Sequence, residues 1–231
     1  MPARTRTQAQ WLPGWLLERP RVARILAGRP LAGPRADDAV RVAGEVVAGG
    51  QPVALEHLPA PEDDATAEFT GLLGRVHAAG LAPLCEVTLA VDRLGVPAAE
   101  ACARSATVAG IGVVLAGPAD LVRGLPGTGV VVSAGDPDAE ARCRELAPGR
   151  VRLVHGHGAG ADLAFVRCLN VLMAADGYPE VAATDLRLIA IAGERAAWNG
   201  RAPDSWEHVM PYGVRTDEQH RLMAAGYTVR V

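Results

Sequence analysis

Eight short runs of branched aliphatic residues, separated by helical stretches, punctuate the chain from residue 53 onward. They cover residues 53–57, 83–89, 111–116, 129–133, 151–155, 181–184, 207–210 and 228–231. Each is apolar throughout or nearly so, the pattern of parallel strands covered on both faces rather than of half-solvated antiparallel ones. Strand–helix units repeating every 25–30 residues or about that predict a (βα)8 TIM-type barrel. A doubly wound open sheet is the alternative, but no glycine-rich dinucleotide fingerprint follows the first run.

The intervening helices carry their own signals. Residues 37–48 place Val40, Val46 and Val47 among alanines. Residues 65–79 put Phe69, Leu72, Leu73 and Val76 on one face and stop at Gly80, a helix-ending glycine. Asp136-Pro137 reads as an N-cap followed by a first-turn proline. Residues 162–175, 186–198 and 217–225 complete the set, while residues 115–127 have room for one helical turn. Residues 1–35 read as an N-terminal extension and 36–231 as a single barrel domain. If residues 228–231 form the last strand, the last helix of the barrel is missing. The apolar segment 11–17, a second copy, or a protein partner is then expected to cover the barrel between Thr228 and Val231.

Composition excludes several function classes. The net charge of -3 leaves no basic footprint for nucleic acid. All 23 basic residues are arginine, so a Schiff-base or P-loop lysine is impossible. Cys85, Cys102, Cys143 and Cys168 lack zinc-site spacing and read as buried free thiols. With no 18-residue apolar run and no convincing signal peptide, the expectation is a cytoplasmic protein without a membrane span.

The last third carries motifs. Arg152-Leu153-Val154, Gly156, Tyr178-Pro179, Asp185, Arg187-Leu188-Ile189, Tyr212-Gly213-Val214-Arg215 and Gly226-Tyr227 stand in the order and spacing of motifs in the proline dehydrogenase family, which this chain resembles. The resemblance implies a flavin enzyme on a (βα)8 barrel, oxidising L-proline to 1-pyrroline-5-carboxylate with FAD. It places cofactor contacts at Ser133, Arg152, His155, Gly156 and Thr184. Several of the family's chemical positions are replaced. Ala90 stands for a lysine, His155 for a lysine, Thr184 for the histidine bordering the flavin, Val209 for a glutamine, and Gly158 for a tyrosine. The paired arginine that clamps the substrate carboxylate would lie beyond Val231. An amino-acid carboxylate must be held while its α-hydrogen is aimed at the flavin, so the expectation is weak or absent FAD binding and an activity lost or repurposed.

Two other readings stand beside it. One is an active FAD-dependent dehydrogenase of proline or a related cyclic imino acid, with a small-molecule substrate. The other is a metal-dependent barrel enzyme. His155 and His157 alternate onto one strand face, and His57, Glu86, Asp185 or His208 at neighbouring strand ends would supply further donors for Zn, Fe or Mn. A plain glycine-flanked loop around His155 and His157 is the expected outcome. His77 and His220 read as surface residues, and Tyr178, Trp198 and Trp206 as packing residues.

Overall fold

The computed structural model describes residues 32–33, 35–56, 64–158 and 160–231. Residues 11–17 and His57 lie outside them. A helix, α1 (Ala36–Ala48), precedes β1 (Val53–Glu56). Next come α2 (Ala65–Ala78), β2 (Cys85–Ala90), α3 (Val91–Leu94), α4 (Val96–Val108) and β3 (Gly112–Ala116). Then follow α5 (Ala119–Val122), β4 (Gly129–Ser133), α6 (Ala139–Leu146), β5 (Arg150–Val154) and α7 (Ala161–Met173). The chain finishes with β6 (Tyr178–Ala182), α8 (Leu186–Trp198), β7 (Glu207–Val209), α9 (Thr216–Ala224) and β8 (Thr228–Arg230).

All eight strands are parallel and pair in sequence order, the topology of a (βα)8 barrel. Two backbone hydrogen bonds join the ends of the sheet: Val231 N–H donates to Pro52 O at 2.9 Å, and Ala54 N–H donates to Val231 O at 2.8 Å. The first helix packs on β1 and against α2, and Val231 joins the apolar cluster that contains Val42 and Val46. Gln51, just after α1, hydrogen-bonds Gln219 of α9 at 3.3 Å. Thus α1 stands beside the β8–β1 seam, where the sequence suggests a cover from residues 11–17 or a partner.

Strand alternation divides the side chains. Val53, Leu55, Val87, Leu89, Val151, Leu153 and Val181 point outward and pack under the helices in two large apolar clusters. Ala116, Val114, Val131, Val154 and Ala182 point inward and form a small cluster of their own. Two element boundaries depart from expectation. The sixth strand begins at Tyr178 rather than at 181, with Pro179 opposite Val151; a proline cannot donate to a ladder, so it argues against strand in the sequence. The N-cap of α6 is Asp138, not Asp136.

Candidate functional site

The lower half of the barrel lumen is ionic. Arg150 and Arg152 of β5 and Arg230 of β8 face Glu86 of β2, Glu180 of β6 and Glu207 of β7. Arg152 pairs with Glu86, binds Glu180 Oε2 through Nε at 2.6 Å, and donates to the Thr88 hydroxyl at 3.1 Å. Arg150 pairs with Glu180, with Glu86 at 3.0 Å, and with Glu207 at 3.1 Å. Arg230 grips both Glu207 oxygens, at 2.5 and 3.1 Å, and donates to Val53 O at 3.3 Å. Tyr178 donates its hydroxyl to Glu207 at 3.3 Å, and the Arg150 guanidinium lies 4.9 Å from the Tyr178 ring centre. Burial alone would raise the Glu180 carboxyl, but Arg152 and Arg150 override it and hold the group below its ordinary range.

Three guanidinium groups thus balance three carboxylates that are themselves buried, with Arg150 half-buried at the edge of the layer. Such pairs stabilise little relative to an apolar core, yet removing one member is costly because it strands a buried charge. Glu86, Glu180 and Glu207 offer oxygens within 4.8 Å of one another, a spacing that could hold a cation. Each of them is engaged by arginine, which leaves a cation to compete with guanidinium for every oxygen. A cleft of about 340 Å³ opens onto this layer from the N-terminal end of the barrel, between Pro52, Leu84, Arg150, Tyr178 and Thr228.

Barrel chemistry belongs to the opposite, C-terminal end. There Ser133, Val154 and Ala182 lie level across β4, β5 and β6, so three adjacent strands deliver Ser133, His155 and Thr184 to one rim. Ser133 is buried and Thr184 half-buried. The His155 ring pairs with Asp162 of α7 at 2.8 Å and lies tilted 5.7 Å from Phe165. Asp162 is held in turn by Arg187 of α8 at 2.9 Å. Asp185 caps α8, accepting from Arg187 N–H at 2.7 Å. Glu56 ends β1, where burial raises its carboxyl above the ordinary range against the opposing pull of Arg152 and Arg93.

The residues singled out in the sequence therefore scatter. Arg152 sits below the rim, inside the ionic layer. Gly156 is held by geometry: a Cβ there would lie 2.2 Å from Gly135 N, so the loops after β4 and β5 can touch only through glycine. His157 is exposed. His208 faces away from the lumen, packed beneath the helices against Trp206 and Tyr227 at 4.6 and 5.8 Å. It lies on the other face of the sheet from the inward-facing side chains, because β7 turns its odd-numbered residues inward. His77 and His220 are exposed as expected, Trp206 is core, and Trp198 is 84% exposed rather than packed.

The ionic layer was the part least expected, although its signal is in the sequence. In CEVTLA, RVRLV, YPEVA and TVR, polar residues recur two positions apart in strands otherwise read as buried on both faces. Period-two polarity in a parallel strand marks a lumen lined with charge.

Comparison with known proteins bears on the fold. No protein-family model and no curated protein matches the sequence. Among solved structures, proline utilization A (PutA) from Bdellovibrio bacteriovorus, inactivated by N-propargylglycine, matches with a TM-score of 0.76 at 15% identity. The match covers 90% of this chain and 30% of that one, so this chain spans under a third of PutA's length. Citrate synthase SbnG matches at a TM-score of 0.52 and 10% identity, over 81% of this chain and 88% of that one. No helix among the described residues is long and apolar enough to cross a membrane. The chain thus shares its (βα)8 barrel fold with a segment of PutA.

Proposed function

We propose that this chain uses a proline dehydrogenase-like barrel as a scaffold from which flavin-dependent oxidation of L-proline has been lost. The observation that carries this reading is the engagement of Arg152. Of the five residues that the resemblance assigns to FAD, only Arg152 and His155 can bear positive charge. Arg152 is bound to Glu86, Glu180 and Thr88, and His155 is bound to Asp162. Turning Arg152 toward an anionic cofactor would abandon two buried carboxylates, a loss of about 3–5 kcal/mol by the usual cost of breaking a buried pair. Ser133, Gly156 and Thr184 offer a hydroxyl, a backbone and a second hydroxyl, which do not replace a cation. The residues present do not fit FAD.

The test needs only the purified full chain. Its absorbance is expected to lack the flavin bands, and added FAD to leave the melting temperature unchanged. A bound ligand at about 100 times its Kd would stabilise by about 2.7 kcal/mol, which such a scan reads easily. Stoichiometric flavin that L-proline bleaches would overturn the proposal in favour of a working dehydrogenase of proline or a related cyclic imino acid.

A further inference from the structure

The wall of helices around the barrel is thin at one place. Between β3 and β4 the chain forms only α5, four residues long, whereas each other crossover carries a helix of at least 8 residues. The outer face of the sheet is left open there. Among the described strand residues that point toward the helices, Val130 of β4 alone is half-buried, while Val132 on the same face is 0% exposed. The result is a cleft of about 340 Å³ between α5 and α6, lined by Leu115, Val122, Leu125, Val130 and Leu146.

Two guanidinium groups bracket this apolar space. Arg142 of α6 is 6% exposed and reaches across one end of the cleft, toward Gly117 O at 3.4 Å and Asp136 at 3.8 Å. At the outer lip Arg123, just after α5, faces Glu145 of α6 at 3.6 Å, and both groups are more than half exposed. We propose that the cleft is a binding site for a small amphipathic monocarboxylate, a medium-chain fatty acid anion, whose chain lies on Leu115 and Val130 and whose carboxylate pairs with Arg142.

Size and charge select this ligand. The volume stands at the lower end of small-molecule pockets, which are mostly apolar with a few placed polar groups. A partner's helix would need an open groove, and here Arg123 and Glu145 face each other across the lip. Their exposed pairing is weak, so it parts for a small ligand at little cost. A carboxylate entering an apolar cleft needs a cationic partner, and a buried guanidinium supplies strong charge-assisted hydrogen bonds. Asp136 competes for Arg142 from beyond hydrogen-bonding distance. Burial also raises the Asp136 carboxyl to about 6, so it holds its charge less firmly than an ordinary carboxylate. The site lies on the outer face of the barrel, apart from the rim that bears Ser133 and Thr184, and it stands whether or not the chain binds flavin.

The test titrates the full chain with octanoate, followed by calorimetry and by the melting temperature. Octanol, with the same chain and no charge, is the control. Octanoate is expected to bind at one equivalent and to raise the melting temperature. Octanol should bind about ten-fold more weakly, the worth of a charge-assisted hydrogen bond. Val130→Phe fills the cleft from its floor, at a position with room for a larger side chain, and should remove octanoate binding. Arg142→Gln should bring octanoate down to the affinity of octanol. No binding at about 1 mM octanoate, equal affinity for octanol, or uptake of many equivalents would each overturn the proposal. So would octanoate binding that survives Val130→Phe. Should Arg142→Gln fold poorly, the octanol comparison on the unaltered protein still decides whether the charge is read.

Discussion

Glu180 shows how one residue holds the lumen. It is 0% exposed and stays ionised because Arg150 and Arg152 converge on it. Glu180→Ala is therefore expected to destabilise by about 3–5 kcal/mol, since it leaves three guanidinium groups to two carboxylates in the lumen. Urea unfolding checks this, and a loss under 1 kcal/mol or so would show that the pairs are loose. His208 is the opposite case, a polar ring whose two nitrogens have no hydrogen-bond partner. Burial lowers it from 6.5 to about 4, so the folded protein keeps it neutral while the unfolded chain protonates it first. Stability from this residue is complete above pH 6.5 and is lost as pH falls toward 4, by about 3 kcal/mol in all. Asp136 acts in the other direction, since burial raises it from 3.8 to about 6 and favours the folded state as acid is added. The clean measurement is thus a difference: His208→Leu should be less sensitive than the unaltered protein between pH 6.5 and 4. Parallel stability curves for the two would refute the assignment.

Among the elements, the helix after β3 is the weakest. α5 is one turn long, and a cleft of about 340 Å³ lies beside it, lined by Leu115, Val122, Leu125, Val130 and Leu146. The sequence anticipates this, because residues 115–127 hold three glycines and two prolines, too many breakers for a longer helix. The rim loops were less legible. Gly156 matches the family motif and so looks like a cofactor residue, whereas its side-chain hydrogen simply leaves room for Gly135. Gly156→Ala should separate the loops after β4 and β5 and cost about 1–3 kcal/mol, the usual range for overpacking. Thermal unfolding reads the loss, and an unchanged melting temperature would mean that the loops part without effort. The same limit applies to His155 and His157. Two-residue spacing places them on one face only while the strand continues, and β5 ends at Val154.

For the whole molecule, closure rests on few contacts. Val231 stitches β8 to β1 through two hydrogen bonds, and α1 packs beside that seam with Val42 and Val46 buried. Val42→Asp would bury an unpaired carboxylate there and is expected to cost several kcal/mol, shown by a lowered urea midpoint. A midpoint left in place would mean that the seam needs no apolar cover from α1. Eight apolar runs at regular spacing were enough to determine the barrel, because burial on two faces and short crossovers admit few other topologies. Most helix positions followed from apolar periodicity, and even the short α5 from its breakers. The alanine-rich α4 (Val96–Val108) has too faint an apolar stripe to be read from the sequence. Which charges meet was decided only by tertiary structure. Glu86, Arg152, Glu180, Glu207 and Arg230 come from five separate strands, and ring closure and strand stagger bring them within hydrogen-bonding reach. Pattern along a chain reports which face a side chain takes; its partner across a barrel depends on how the sheet closes.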